Sequence, residues 1–339
     1  MKYFARARRG NTGSEGGSIE SLTERVRTSC AHVVQRARRV RVCDERVASY
    51  ARELPVEQGS PGLRLPFRPE SHGETEAIAA YVLTLDSINF GSGYFPQLRK
   101  RPGCSGYRTI EAALLDRFRT QGPLSVRELC TADARGTALI FDQDPDHPVQ
   151  SALMKLFAQA WNDLGAFLTE SFSGRFSVVI QRAGHSAVRL AECLTRMPLF
   201  RDEVPYRGER VAFYKRAQIV PADLALAFSG EGLGRFEDLD RLTSFADNLV
   251  PHVLRIDGVL EYADSLNESI RRGELIPSGS EAEVEIRACA VHAIERMVAE
   301  RHRYGMPTTA MEIDHILWNR GQGRSYKSHP RHRTRTVFY

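Results

Sequence analysis

Apolar residues recur along most of this chain at the 3.6-residue spacing of an α-helix, and that periodicity limits the fold more than any motif does. Val284 to Arg301 is a clear amphipathic helix. The same spacing predicts one or two helices over 18–54, with Ser21 as cap and Glu24 three residues later. Further helices are predicted at 74–85, 108–120, 124–132, 149–172 and 184–195, and the pattern is helical again from Phe213 onward. A last short helix has its own punctuation. Thr309 and Glu312 stand at capping-box spacing, Pro307 precedes them and Gly321 can end it. Against this, the β-branched run FSVVI predicts a strand over Arg175 to Gln181, with a second near Ala138 to Phe141. The expected fold class is therefore mainly α, a single large helical domain with a minor β element. No long polar linker follows residue 60, so residues 18–339 are expected to form one domain behind a disordered basic tail over 1–17.

Composition narrows the function classes. The 339 residues are 42% hydrophobic and 26% charged, which is ample for a packed core. The longest apolar runs are far too short to span a bilayer, so a soluble protein without a membrane partner is expected. The net charge of +5, crowded into arginines near the N-terminus, favours phosphate-bearing partners; a solvated arginine-rich surface reads equally well. Cys30, Cys43, Cys104, Cys130, Cys193 and Cys289 form no CxxC pair, and Met1 to Gly17 has no apolar h-region. Both fit a cytoplasmic location. The sequence holds no Ser-His-Asp spacing, metal-ligand cluster or P-loop, so no metal and no cofactor are expected.

Residues 213–254 are dense in functional types. Lys215 and Arg216 are adjacent cations in an apolar stretch, and Gly230, Gly232 and Gly234 suggest a flexible loop that a ligand can approach. Phe236 and Asp238 follow at alternate positions. They read either as an aromatic face and a carboxylate sharing a pocket for a flat heterocycle, or as an anchoring Phe and a helix-capping Asp. Asp247 lies in the apolar context LTSFADNLVP and is expected to be partly buried. In EIDHILWNRG, Asp314 shares a helical face with Trp318, and His315 shares one with Asn319. A carboxylate at the edge of a buried face, close to a Trp, is desolvated and its pKa rises unless something pairs with it. Such a group suits a developing cation, although an Asp held by a backbone N–H in the first turns of a helix is the commoner case. His72, before a helix, reads as a cap or surface residue when taken alone. Asp86 and Asn89, set in the apolar run YVLTLDSINF, must be satisfied by partners. Residues 91–107 predict a long irregular loop of the kind that is often functional.

Five segments together carry a resemblance: YVLTLDSINF, FYKRAQIV, GLGRFEDLDRLTSFADNLVPHVL, EVEIRACAVHAIE and EIDHILWNRGQ. In order and spacing, from about residue 70 to the C-terminus, the chain resembles the queuosine salvage protein family, the queuosine 5′-phosphate N-glycosylases/hydrolases. The resemblance implies a helical fold similar to the helix-hairpin-helix DNA glycosylases. It implies the reaction of water with queuosine 5′-phosphate to give queuine and ribose 5-phosphate, for queuine salvage into tRNA. Breaking the C1′–N9 bond builds positive charge on the ribose, which a carboxylate under C1′ stabilises. Queuine is a 7-deazapurine with no N7 to protonate, so leaving-group activation falls to hydrogen bonds elsewhere on the base edge. Its ammonium and diol want acidic and polar partners, and the 5′-phosphate wants cations.

Carried over by position, the resemblance implies Asp314 as the catalytic carboxylate. Phe236 would stack on the base and Asp238 would bind its N–H edge or ammonium. His72, His315 and Asn319 would complete the polar contacts, and Lys215 would hold the phosphate. Family members often carry an acid after the Trp where this chain has Asn319, which leaves Asp247 and Asp238 as alternatives to Asp314. The partners implied are the small nucleotide and its base product, with nucleic acid not expected as direct substrate. Two competing readings are a DNA or RNA base glycosylase, from the basic charge, and a non-catalytic nucleotide-binding protein.

Overall fold

A computed structural model describes residues 20–55 and 72–339. The expected tail over 1–17 lies outside the described residues. The chain runs α1 (Leu22–Arg36), β1 (Val40–Val42), α2 (Asp44–Glu53), α3 (His72–Ser87), α4 (Gly106–Gln121), α5 (Val126–Cys130) and α6 (Ala134–Ile140). It continues through α7 (Pro148–Phe172), α8 (Phe176–Arg182), α9 (Ala187–Leu194), β2 (Glu203–Tyr206), β3 (Glu209–Ala212) and α10 (Lys215–Ala227). It closes with α11 (Val250–Ile256), β4 (Leu260–Tyr262), α12 (Asp264–Arg271), α13 (Glu281–Arg303), α14 (Ala310–Gly321) and α15 (Arg324–Lys327). The protein is mainly helical.

The capping boxes form as spaced. Glu24 N donates to Ser21 Oγ at 3.3 Å while Ser21 N donates to Glu24 at 2.9 Å. At α14, Glu312 N donates to Thr309 Oγ1 at 3.2 Å and Thr309 N to Glu312 at 2.8 Å. Each box satisfies N–H groups that a helix start leaves open.

Both predicted strands are helices. FSVVI lies in α8, which buries Phe176, Ser177, Val179 and Ile180, a helical spacing. Its N-terminus is held from outside: Phe176 N and Ser177 N donate to the Glu76 carboxylate of α3 at 2.8 and 3.1 Å. Ala138 lies in α6. Here tertiary packing overrides β-propensity. The strands that do form are two antiparallel ribbons, β1 with β4 and β2 with β3. The predicted 18–54 segment forms two helices, α1 and α2, separated by β1, where buried Glu285 of α13 accepts the backbone N–H groups of Arg38, Arg39 and Val40 at 3.0, 2.6 and 3.2 Å.

The largest apolar cluster gathers α3, α4, α7 and α10 around Tyr81, Phe118, Phe157 and Trp161. A second gathers β1, β4, α11, α13 and α14. Near the chain centre, Arg287 of α13 makes a bidentate pair with Asp202, at 3.0 and 2.6 Å, with the side chains 0% and 2% exposed. Arg287 Nε also donates to Ala246 O at 2.9 Å, and the guanidinium lies over Phe213 at 3.9 Å from the ring centroid. Removing one member of such a pair strands the other charge in the core. Arg287→Ala is expected to lower stability by about 3–5 kcal/mol, read as a fall in the urea midpoint at unchanged slope.

Candidate active site

A cavity of about 710 Å³ opens against α4, α10, α14, the 91–105 loop and the C-terminal tail. That size suits a small ligand, for which roughly 300–1,000 Å³ is usual. Three segments build its polar wall.

The first is the start of α10. Tyr214, at φ +51°, precedes the helix in the left-handed region. A non-glycine residue there is held only where its surroundings insist. Its hydroxyl takes a bond from Arg25 at 3.2 Å and donates to Glu203. Asp202 accepts from Lys215 N at 3.3 Å. Successive helical residues point about 100° apart, so the two cations separate. Arg216 goes to the core, sandwiched between Phe90 and Phe200 and donating to Ser87 O and Leu199 O. Lys215 faces the cavity, where Nζ donates to Asn89 O and Oδ1, each at 2.9 Å. Burial pushes its pKa down to about 8, against the pull of Asp247 and Asp86.

The second segment is the loop 243–249, pinned through Ala246 by Arg287. The third is α14. Asp314, 3% exposed, accepts from Ser244 Oγ at 2.8 Å and Phe245 N at 2.9 Å. Both bonds fall on Oδ2, which leaves Oδ1 for the cavity. Burial, then the neighbouring Asp247, pushes Asp314 up to about 7. Asp247 accepts from Leu249 N at 2.8 Å and Val250 N at 2.9 Å, both on Oδ1, and burial raises its pKa too. One turn along α14, Trp318 meets Tyr107 edge to face at 5.9 Å, and Arg108 lies over it while pairing with Glu111 at 2.8 Å. His315 tilts against Phe245, and burial lowers its pKa to about 4.

The structure thus brings Asp314, Asp247, Lys215, His315 and Asn319 to one cavity. Phe236 and Asp238 are not among its lining residues. Phe236 packs with the apolar cluster behind Phe245. Asp238 accepts from Ser186 Oγ at 2.6 Å and Ala187 N at 2.5 Å, capping α9. The glycine loop is also used internally. A Cβ on Gly234 would meet Leu224 O of α10 at 2.6 Å, so the close approach is to the protein's own backbone. His72 opens α3, and its side chain lies outside the described residues. The predicted loop ends at Ser105, because Gly106 and Tyr107 open α4; it lines the cavity through Phe95 and Cys104 among others, and α4 adds Tyr107.

Sequence reasoning missed Asp223. It lines the cavity from α10, two turns after Lys215, and hydrogen-bonds to buried Asp86. Burial raises both carboxyls; the charge of Asp86 raises Asp223 further, while the bond from Asp223 holds Asp86 down, so Asp223 is the one that keeps its proton more strongly. Asp86 and Asn89 were visible as buried polar residues in an apolar run; Asp223 carried no such signal. Among the described residues no group of His, Cys, Asp or Glu is placed to hold a metal ion, and no helix is long and apolar enough to cross a membrane.

A sequence profile of the family described as "Queuosine salvage protein" matches residues 68–339. The chain belongs to the queuosine salvage protein family. It is 38% identical over 321 residues, 93% of this chain and 97% of the relative, to a protein of Sphaerobacter thermophilus named queuosine 5′-phosphate N-glycosylase/hydrolase. Proteins of the same name from Dictyostelium discoideum and Mus musculus are 35% and 32% identical over 78% and 79% of this chain, and 79% and 83% of their own lengths.

The buried cavity acid Asp314 gives a pH signature in stability. An unfolded Asp ionises near its ordinary value of about 3.9, whereas folded Asp314 keeps its proton up to about 7. The folded state therefore binds more protons between those values, and stability falls as pH rises through that window. Asp314→Asn removes this loss. Its urea midpoint is expected to gain on the wild type between pH 4.5 and 7.5, by on the order of 1–4 kcal/mol.

Proposed function

We infer that this protein hydrolyses the N-glycosidic bond of queuosine 5′-phosphate, releasing queuine and ribose 5-phosphate. The observation that carries the reading is the Asp314 carboxylate, fixed at the cavity by Ser244 and Phe245 N–H with one oxygen left over. As the C1′–N9 bond breaks, positive charge grows on the ribose, and an ionised carboxylate already in place stabilises it without reorganising. Water adds its hydroxyl to C1′ and its proton goes to the departing base. Burial raises the proton affinity of both Asp314 and Asp247, and the charge of Asp247 raises that of Asp314 further, which places two carboxyls of raised pKa where acid–base catalysis can use them. Lys215 spends two of its three donors on Asn89 and keeps one for a substrate oxygen.

Trp318, Tyr107 and Phe245 offer aromatic surface for the flat base, and Asp223 is the acid best placed for its ammonium. Neutral His315, with Asn319 one turn on, supplies polar contacts. Capping of α9 by Asp238 supports Asp314 and Asp247 over Asp238 as the reacting acid. The finer fold reading, a likeness to helix-hairpin-helix DNA glycosylases, is supported by the mainly helical order and by a carboxylate-bearing helix at the cavity. One helical unit is supported by the bonds of α13 to Arg38–Val40 and to Asp202.

Incubation with queuosine 5′-phosphate is expected to yield free queuine by chromatography, with kcat rising as pH passes about 7. Asp314→Asn is expected to lower kcat by roughly 10²–10⁴-fold; unchanged queuine release would remove Asp314 from the role. Steeply salt-dependent duplex binding would instead favour a nucleic-acid glycosylase.

A further inference from the structure

A buried guanidinium without an anion is expensive, because it cannot shed its charge and has lost its water. Arg331 is such a group. It lines the cavity and is partly buried, and among the described residues it makes no hydrogen bond and no ion pair. The acid that acts on it, across a gap, is Asp247. Its other titratable neighbours are two histidines, His252 and His332, both held neutral by burial, with Arg331 and Arg255 adding to the effect.

The other cavity cations are differently placed. Lys215 is bonded to Asn89, Arg108 pairs with Glu111, Arg271 pairs with Glu268 at 2.8 Å and Arg333 donates to Gly273 O. Lys100, Lys327 and His329 are exposed. Arg331 therefore combines withdrawal from solvent with an unused fork of donors.

Its backbone is fixed on both sides. Pro330 O accepts from Arg255, and Ile276 N donates to Arg333 O at 2.8 Å where Arg333 bridges to Leu275. Further on, Gly91 N donates to Tyr339 O at 2.8 Å, so the tail is tied to the 91–105 loop. With the backbone held, only the side chain of Arg331 remains to be ordered by a ligand. Its position also fits a nucleotide. Asp247 is the acid whose charge reaches Arg331, and the same charge reaches Asp314. Arg331 therefore shares one cavity, and electrostatic range, with the carboxylates assigned above to C1′.

We propose that Arg331 binds the 5′-phosphate of the substrate and makes the enzyme select nucleotide over nucleoside. This rests on the substrate reading above. A guanidinium takes two phosphate oxygens side by side, which a single ammonium cannot do.

The test compares wild type, Arg331→Gln and Arg331→Lys on queuosine 5′-phosphate and on queuosine, with thermal melting in inorganic phosphate and in ribose 5-phosphate. In Arg331→Gln, KM for the nucleotide is expected to rise on the order of 10–100-fold, much more than KM for the nucleoside, with kcat little changed. Both phosphates are expected to raise the wild-type melting temperature and to lose that effect in Arg331→Gln. Without phosphate, Arg331→Gln is expected to melt no lower than wild type, since it loses an unpaired charge. A folded Arg331→Gln with wild-type preference and wild-type phosphate protection overturns the assignment. If Arg331→Gln does not fold, Arg331→Lys decides: a several-fold rise in nucleotide KM supports the fork, and none overturns it. If wild type releases no queuine from either compound, the substrate reading fails; phosphate protection that depends on Arg331 would still mark an anion site.

Discussion

The buried pair between Arg287 and Asp202 holds together the parts on which the cavity depends. Asp202 receives both guanidinium nitrogens and also Lys215 N, so it fixes where α10 begins. Arg287 spends its third donor on Ala246 O, one residue before Asp247. Two wall segments, far apart in sequence, are thus referenced to one side chain of α13. A buried ion pair contributes little net stability, because the attraction mostly offsets desolvation. What it does here is fix geometry: without Arg287 the buried Asp202 and Glu283 lose their common cation, and without Asp202 the guanidinium keeps only Glu283 at 3.6 Å.

Around that clamp the cavity is a row of incompletely neutralised charges. Asp314 and Asp247 each accept two bonds on one oxygen and leave the other. Asp86 and Asp223, both raised by burial, stand behind Asn89 and Lys215. Burial raises the cost of every unpaired charge, so these surroundings favour protonated carboxyls and a weakened ammonium. A ligand that brings positive charge to the acids and a phosphate to the basic end would relieve both costs. A glycosidic bond broken next to Asp314 supplies the first only as the transition state forms, which is when stabilisation accelerates a reaction.

Legibility in the sequence followed the range of the interactions involved. The boxes at Ser21–Glu24 and Thr309–Glu312 were readable because donor and acceptor stand three residues apart. The FSVVI segment was misread because a short apolar run suits a strand or a buried helix alike; Glu76, a hundred positions earlier, decides for the helix. The ribbons of three or four residues are too short to show an alternation. In the site, EIDHILWNRG was informative because one helix presents Asp314, His315, Trp318 and Asn319 within two turns. Phe236 and Asp238 were chosen by local spacing, and spacing cannot say which way a loop faces.

The sequence by itself determined a mainly helical chain, the helix that carries Asp314 and, through its five segments, the family. Its local spacings fix those features, and neighbours along the chain are enough to read them. Only the tertiary structure decided that Lys215 and Arg216 part company, that Asp223 joins the wall while Asp238 caps α9, and that Arg331 of the tail faces the cavity. Those outcomes depend on which distant group satisfies each buried charge, and that partner is set by packing rather than by position in the chain.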